Sequence, residues 1–76
     1  MYLIPYDRGY YDGIKFAMLR LHEWKSEQDV TRALEAQKAN QAYDPEDYIK
    51  GFGDGAMDRF TGKTGDYTES EVHYAL

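Results

Sequence analysis

The sequence predicts an all-α fold: a small three-helix domain with a short C-terminal helix, helices one and three crossing at repeated glycines. Three observations predict it. Apolar residues recur at steps of three and four along most of the chain, the period of a helical face. Segments open with helix-start chemistry: Pro5, then Ser26 with Asp29, then Asp44-Pro45-Glu46-Asp47, then Thr68 with Glu71. One block, Tyr-x-x-Gly-aromatic-x-Asp-Gly, occurs twice, at 6–13 and 48–55.

The first helix is expected over 5–24. Pro5 suits a first turn, where its missing N–H goes unused. Tyr6, Tyr10, Gly13, Ala17, Leu21 and Trp24 then form one stripe. Ile14, Phe16, Met18 and Leu19 widen the apolar surface beyond that stripe. A helix on the surface of a monomer has a narrower apolar face, so this one is central or has a second face for another protein. The second helix is expected over 27–41, with Ser26 as cap and Asp29 as the acidic end of a capping box. Its apolar set, Val30, Ala33 and Leu34, is thin, as befits a scaffold. The third is expected over 45–60. Asp44 is the cap, Pro45 the first helical residue, and two acids lie at the positive end of the dipole. Tyr48, Phe52, Gly55, Ala56 and Arg59 keep its register, and Thr61-Gly62 ends it. The last helix, 69–75, is too short to stand alone, so Val72, Tyr74 and Leu76 have to dock if it forms.

Seventy-six residues allow one domain, 1–76, and a core supplying only about 3–5 kcal/mol. With no cysteine, neither a disulfide nor a thiolate metal site adds to that. The apolar run from Met1 to Ile4 is too short for a signal peptide, and no run approaches a membrane span. The expectation is a small acidic cytoplasmic protein. Its net charge of −5 disfavours direct nucleic-acid binding, which needs clustered Lys and Arg. Eight tyrosines among 16% aromatics suit either a binding surface or a small core.

The repeat reads Tyr6-Asp-Arg-Gly9-Tyr10-Tyr-Asp12-Gly13 and Tyr48-Ile-Lys-Gly51-Phe52-Gly-Asp54-Gly55. Gly9, Gly13, Gly51, Gly53 and Gly55 inside helices cost about 4–5 kcal/mol relative to alanine, comparable with the whole expected stability. Glycines four apart lie on one face and let two backbones approach. The two copies are therefore expected to meet, with Tyr6, Tyr10, Tyr48 and Phe52 around the meeting point. A competing reading makes both blocks irregular loops that use glycine for positive φ. Asp12 and Asp54 hold equivalent positions off the stripe. They are read either as acceptors for a tyrosine hydroxyl, Arg8 or Lys50, or as a symmetric acidic pair offered to a partner or a cation.

No catalytic constellation is visible. Gly62-Lys63-Thr64 lacks the first glycine of a phosphate loop, since position 57 is Met57. His22, Glu23 and His73 lack metal-ligand spacing, so no metal and no cofactor is expected. The repeated block resembles runs in small accessory proteins of bacteriophages. A short, acidic, cysteine-free, Tyr-rich chain is also similar to phage-encoded inhibitors of host defence. That resemblance implies a non-enzymatic protein-binding module, an anti-defence-like inhibitor that occludes a host or defence protein. Its partner surface is expected around Tyr11, Asp12, Met18, Leu19 and Asp54. The alternatives are an oligomeric sponge for a nucleotide-like molecule, held by Arg8, Tyr10, Lys50 and Phe52, and a self-assembling structural subunit, a homo-oligomer.

Overall fold

The computed structural model describes residues 4–63. They form three helices: α1, Pro5–Met18; α2, Glu27–Lys38; and α3, Glu46–Thr61. Three-residue 3-10 turns follow α1 (Leu21–Glu23) and α2 (Ala39–Gln41). Among the described residues there is no strand. The expected C-terminal helix, 69–75, lies outside the described residues.

Pro5 opens α1 with Ile4 as an extended cap residue, and the Arg8 N–H donates to the Ile4 carbonyl at 3.0 Å. The helix ends at Met18, six residues short of the expected boundary. After Leu19 the backbone leaves helical geometry at Arg20 (φ −126°). Amides of Arg20, Glu23 and Trp24 then donate three residues back, to Ala17, Arg20 and Leu21. This tighter turn swings the Trp24 ring to 5.9 Å from Phe16 and 6.1 Å from Phe60. Leu21 and Trp24 preserve the helical stripe in the sequence, but it is aromatic packing that holds Trp24, and no Gly or Pro marks the change.

The second helix begins after Ser26, but the Ser26 side chain makes no capping hydrogen bond. The expected capping box is therefore not formed: Asp29 reaches back past the cap residue to accept from the Lys25 N–H at 2.8 Å. α3 starts one residue later than expected: Pro45 is the cap residue and Glu46 the first helical one. Gly62 ends α3 in the left-handed region (φ 77°), and the Lys63 N–H closes the end on the Asp58 carbonyl at 2.7 Å. Gly62 is the only glycine with positive φ among the described residues. The repeated glycines are helical, which excludes the loop reading.

The principal packing is α1 against α3. A Cβ built on Gly9 would fall 2.1 Å from the Tyr48 carbonyl oxygen, and one on Gly13 2.0 Å from that of Phe52. Reciprocally, Gly51 faces the Tyr6 oxygen and Gly55 the Tyr10 oxygen, each at 2.1 Å. Positions rise together along both helices, so α1 and α3 run parallel, and α2 with its turns carries the chain back between them. At each of these glycines the hydrogen that replaces a side chain points at a facing carbonyl. Such Cα–H···O contacts contribute about 0.5–1 kcal/mol each, which offsets most of the glycine propensity cost of about 0.8–1.0 kcal/mol per residue. The fully buried Ile14, Ala17, Val30 and Ala56, with Phe52, make the small core.

Candidate functional site

The four glycine approaches are related by an exchange. Shifting every position by 42 turns Gly9–Tyr48 into Gly51–Tyr6, and Gly13–Phe52 into Gly55–Tyr10. The helix pair therefore has a local two-fold axis, and the polar groups obey it. The Tyr6 hydroxyl donates to Asp54 Oδ2 at 2.6 Å, and the Tyr48 hydroxyl donates to Asp12 Oδ2. These are the same bond on opposite sides of the axis. The next pair differs in chemistry but keeps the place. The Tyr10 hydroxyl donates to Asp58 at 2.6 Å, whereas its equivalent, Phe52, packs its ring 5.1 Å from Phe16, the equivalent of Asp58. An O–H with an acid on one side is replaced by ring on ring on the other. Within each helix the aromatics sit one turn apart, Tyr6 on Tyr10 at 6.2 Å and Tyr48 on Phe52 at 6.3 Å.

The carboxylates hold both phenols in their neutral form. The hydrogen bond to Asp54, then burial, raises the Tyr6 pKa to about 12. Burial, then the bond to Asp12, pushes Tyr48 higher still. Asp12 and Asp54 thus each carry a tyrosine across the helix pair. Tyr6 and Tyr48 hold equivalent places in the repeat, as do Asp54 and Asp12, and that equivalence was the signal for the two bonds.

The other sequence candidates separate. Arg8 and Lys50 are exposed on their own helices; Tyr11 and Met18 are half-buried on α1, and Leu19, just past its end, is 70% exposed. Lys50, Phe52 and Asp54 come together with residues the sequence did not single out. They line an open groove of about 520 Å³ between α2 and α3. Its apolar lining is Leu34, Ile49, Phe52 and Met57; Glu35, Lys38, Glu46 and Lys50 supply charge. Lys38 is paired with Glu35 at 3.1 Å. The groove exists because α2 touches α3 sparsely: a Cβ on Gly53 would meet only a Leu34 methyl, at 3.9 Å. Sequence reasoning missed it because the thin apolar set of α2 does not state which helix it covers, and Ile49 and Met57 fall outside the repeat's matched positions.

A second, more polar depression of about 360 Å³ lies between the end of α1 and α2. There the Arg20 guanidinium stacks 4.6 Å above the Phe16 ring. Among the described residues no group of three His, Asp or Glu side chains is placed to hold a metal ion, and no helix is long and apolar enough to cross a membrane. No protein-family model matches the chain, and neither a curated protein nor a solved structure matches it significantly.

Proposed function

We propose that this chain is a non-enzymatic protein-binding module that occludes a surface of a protein partner, in the manner of the phage-type inhibitors its sequence resembles. The observation that carries the reading is the α2–α3 groove. Its volume is in the range of natural binding sites, Leu34, Ile49, Phe52 and Met57 give it an apolar lining, and both signs of charge stand around it. An apolar side chain of a host or defence protein would fill it, with Lys38, Lys50 and Glu46 setting orientation.

The reading includes a division of labour. Helices α1 and α3 cross at the repeated glycines and serve as scaffold, with Tyr6, Tyr10, Tyr48 and Phe52 around the crossing. Asp12 and Asp54 belong to that scaffold through their tyrosines. Contact with a partner then falls to the groove and to the exposed Leu19 with neighbouring Met18.

The test is capture of a partner from bacterial lysate by the wild-type chain and by Met57→Glu, which places a charge in the groove, with helix content of both checked by circular dichroism. A stoichiometric protein held by the wild type and lost by the folded variant is the expected result. Recovery of no stoichiometric protein by the wild type would count against the proposal. The exposed Lys50 cation beside the apolar lining of the same groove also favours, second, a small anionic, nucleotide-like ligand held by an oligomeric sponge. Native mass spectrometry of the purified protein separates the two, because only the sponge retains a small molecule.

A further inference from the structure

The groups that let α1 and α3 approach are present on both helices. Gly9 and Gly13 match Gly51 and Gly55, Tyr6 matches Tyr48, and Asp12 matches Asp54. A second copy of α1 laid on α1 in the same manner would find the same carbonyl seats for its glycines. It would also make a Tyr6–Asp12 bond on each side of the axis. α3 laid on α3 would do the same through Tyr48 and Asp54. A chain that carries one self-complementary face twice is open to joining further copies at both helices, and contacts of that kind do not close.

The positions that break the symmetry separate the observed pairing from the two wrong ones. In α1 on α3, the Tyr10 hydroxyl donates to Asp58 at 2.6 Å and the Phe52 ring lies 5.1 Å from Phe16. Polar meets polar, and ring meets ring. In α1 on α1, Tyr10 would face Phe16 on both sides, and two hydroxyls would lose their carboxylate. In α3 on α3, Phe52 would face Asp58 on both sides, and two carboxylates would lie against rings. A polar group stranded in this way costs more than its bond contributes when made. Ile14 and Ala56, equivalent and both buried, repeat the distinction in volume. α1 on α1 would bury two isoleucines where the structure buries one isoleucine and one alanine, and α3 on α3 would bury two alanines; overfilling and underfilling both destabilise. We infer that Tyr10–Asp58 and Phe16–Phe52 are a partner selector: they make the glycine face of α1 accept a helix of the α3 pattern and reject a second copy of itself. Specificity of this kind is a difference between pairings, and it resides here in what the wrong pairing leaves unmatched. The inference concerns the pairing of α1 with α3, and its failure would leave the groove reading standing.

The test builds each wrong pairing into the full-length chain and reads stability by urea unfolding. Phe52→Tyr with Asp58→Phe gives α3 the selector residues of α1, and should lower the folding equilibrium constant at least about tenfold. Tyr10→Phe with Phe16→Asp gives α1 those of α3. It should weaken folding further, because Phe16 also carries Trp24 and Arg20. All four substitutions together restore the matched pairs with their sides exchanged. The folding constant of that variant should exceed the product of the two losses by at least about tenfold; losses that simply multiply would overturn the inference. Where one of these variants is unfolded without urea, a cycle that leaves Phe16 in place decides. Asp58→Phe strands the Tyr10 hydroxyl, and adding Tyr10→Phe removes it, so the second substitution should raise the folding constant of the first at least about threefold. No gain, or a further loss, would overturn the inference.

Discussion

α3 meets its two neighbours in opposite ways. Toward α1 it presents Gly51 and Gly55, and backbone lies on backbone, with carbonyls where side chains would be. Toward α2 it presents Ile49, Gly53 and Met57, and side chains span a gap that leaves a groove. Both faces contain helix-interior glycines with the same intrinsic cost. Only on the α1 side does close approach return that cost. The first interface is intolerant of any added atom; the second has room. Sequence composition alone does not distinguish the glycines, but their spacing does, since Gly53 is the one without a partner four residues away in the repeat.

The largest expected effect comes from filling the tight side. Gly13→Leu with Gly55→Leu should abolish cooperative unfolding, because each branched side chain would overlap a facing carbonyl; an unchanged melting temperature by circular dichroism would mean the repeat is not structural. Next, Tyr48→Phe removes a hydroxyl bonded to a carboxylate and should cost about 1–3 kcal/mol, measured by urea unfolding. Tyr6→Phe should cost less, because its ring is more exposed and solvent screens the bond.

The same tyrosines set an alkaline limit. A phenol whose folded pKa is raised contributes stability that is complete below the unfolded value of about 10 and lost as pH rises through the folded value. For Tyr6 that window runs from about 10 to about 12, and Tyr48 adds loss in the same direction. Stability should therefore fall steadily above pH 10, and the fall should shrink in Tyr48→Phe. The smallest effect is on the loose side. Glu35→Gln breaks the exposed Lys38 pair and should change stability by no more than about 0.5 kcal/mol.

Helix starts were legible because Pro5 and the Asp44-Pro45 pair carry local chemistry that tertiary packing seldom overrides. The Gly62 stop was legible for the same reason. The end of α1 was not, because Leu21 and Trp24 continue the stripe of a helix that has already ended, and the Phe16–Trp24–Phe60 cluster that turns the chain is nonlocal. At the site, the Tyr–Asp partners could be anticipated from equivalent positions in the repeat. The groove could not, since it depends on how lightly α2 rests on α3. The exchange of Tyr10 with Asp58 for Phe52 with Phe16 was also hidden, because it appears as two mismatches until the axis is known.

Gly13→Ala beside Gly53→Ala separates close backbone contact at the repeated glycines from helix propensity alone. By helix propensity alone both substitutions stabilise, by about 0.8–1.0 kcal/mol. Close backbone contact at Gly13, and its absence at Gly53, predicts opposite signs. Gly53→Ala, with only a methyl at 3.9 Å, should raise the melting temperature by about 4–8 °C for each kcal/mol gained. Gly13→Ala, with the Phe52 oxygen 2.0 Å from the new Cβ, should lower it, at a cost of about 3 kcal/mol or more. A rise in both would mean that α1 and α3 are not in close backbone contact at Gly13.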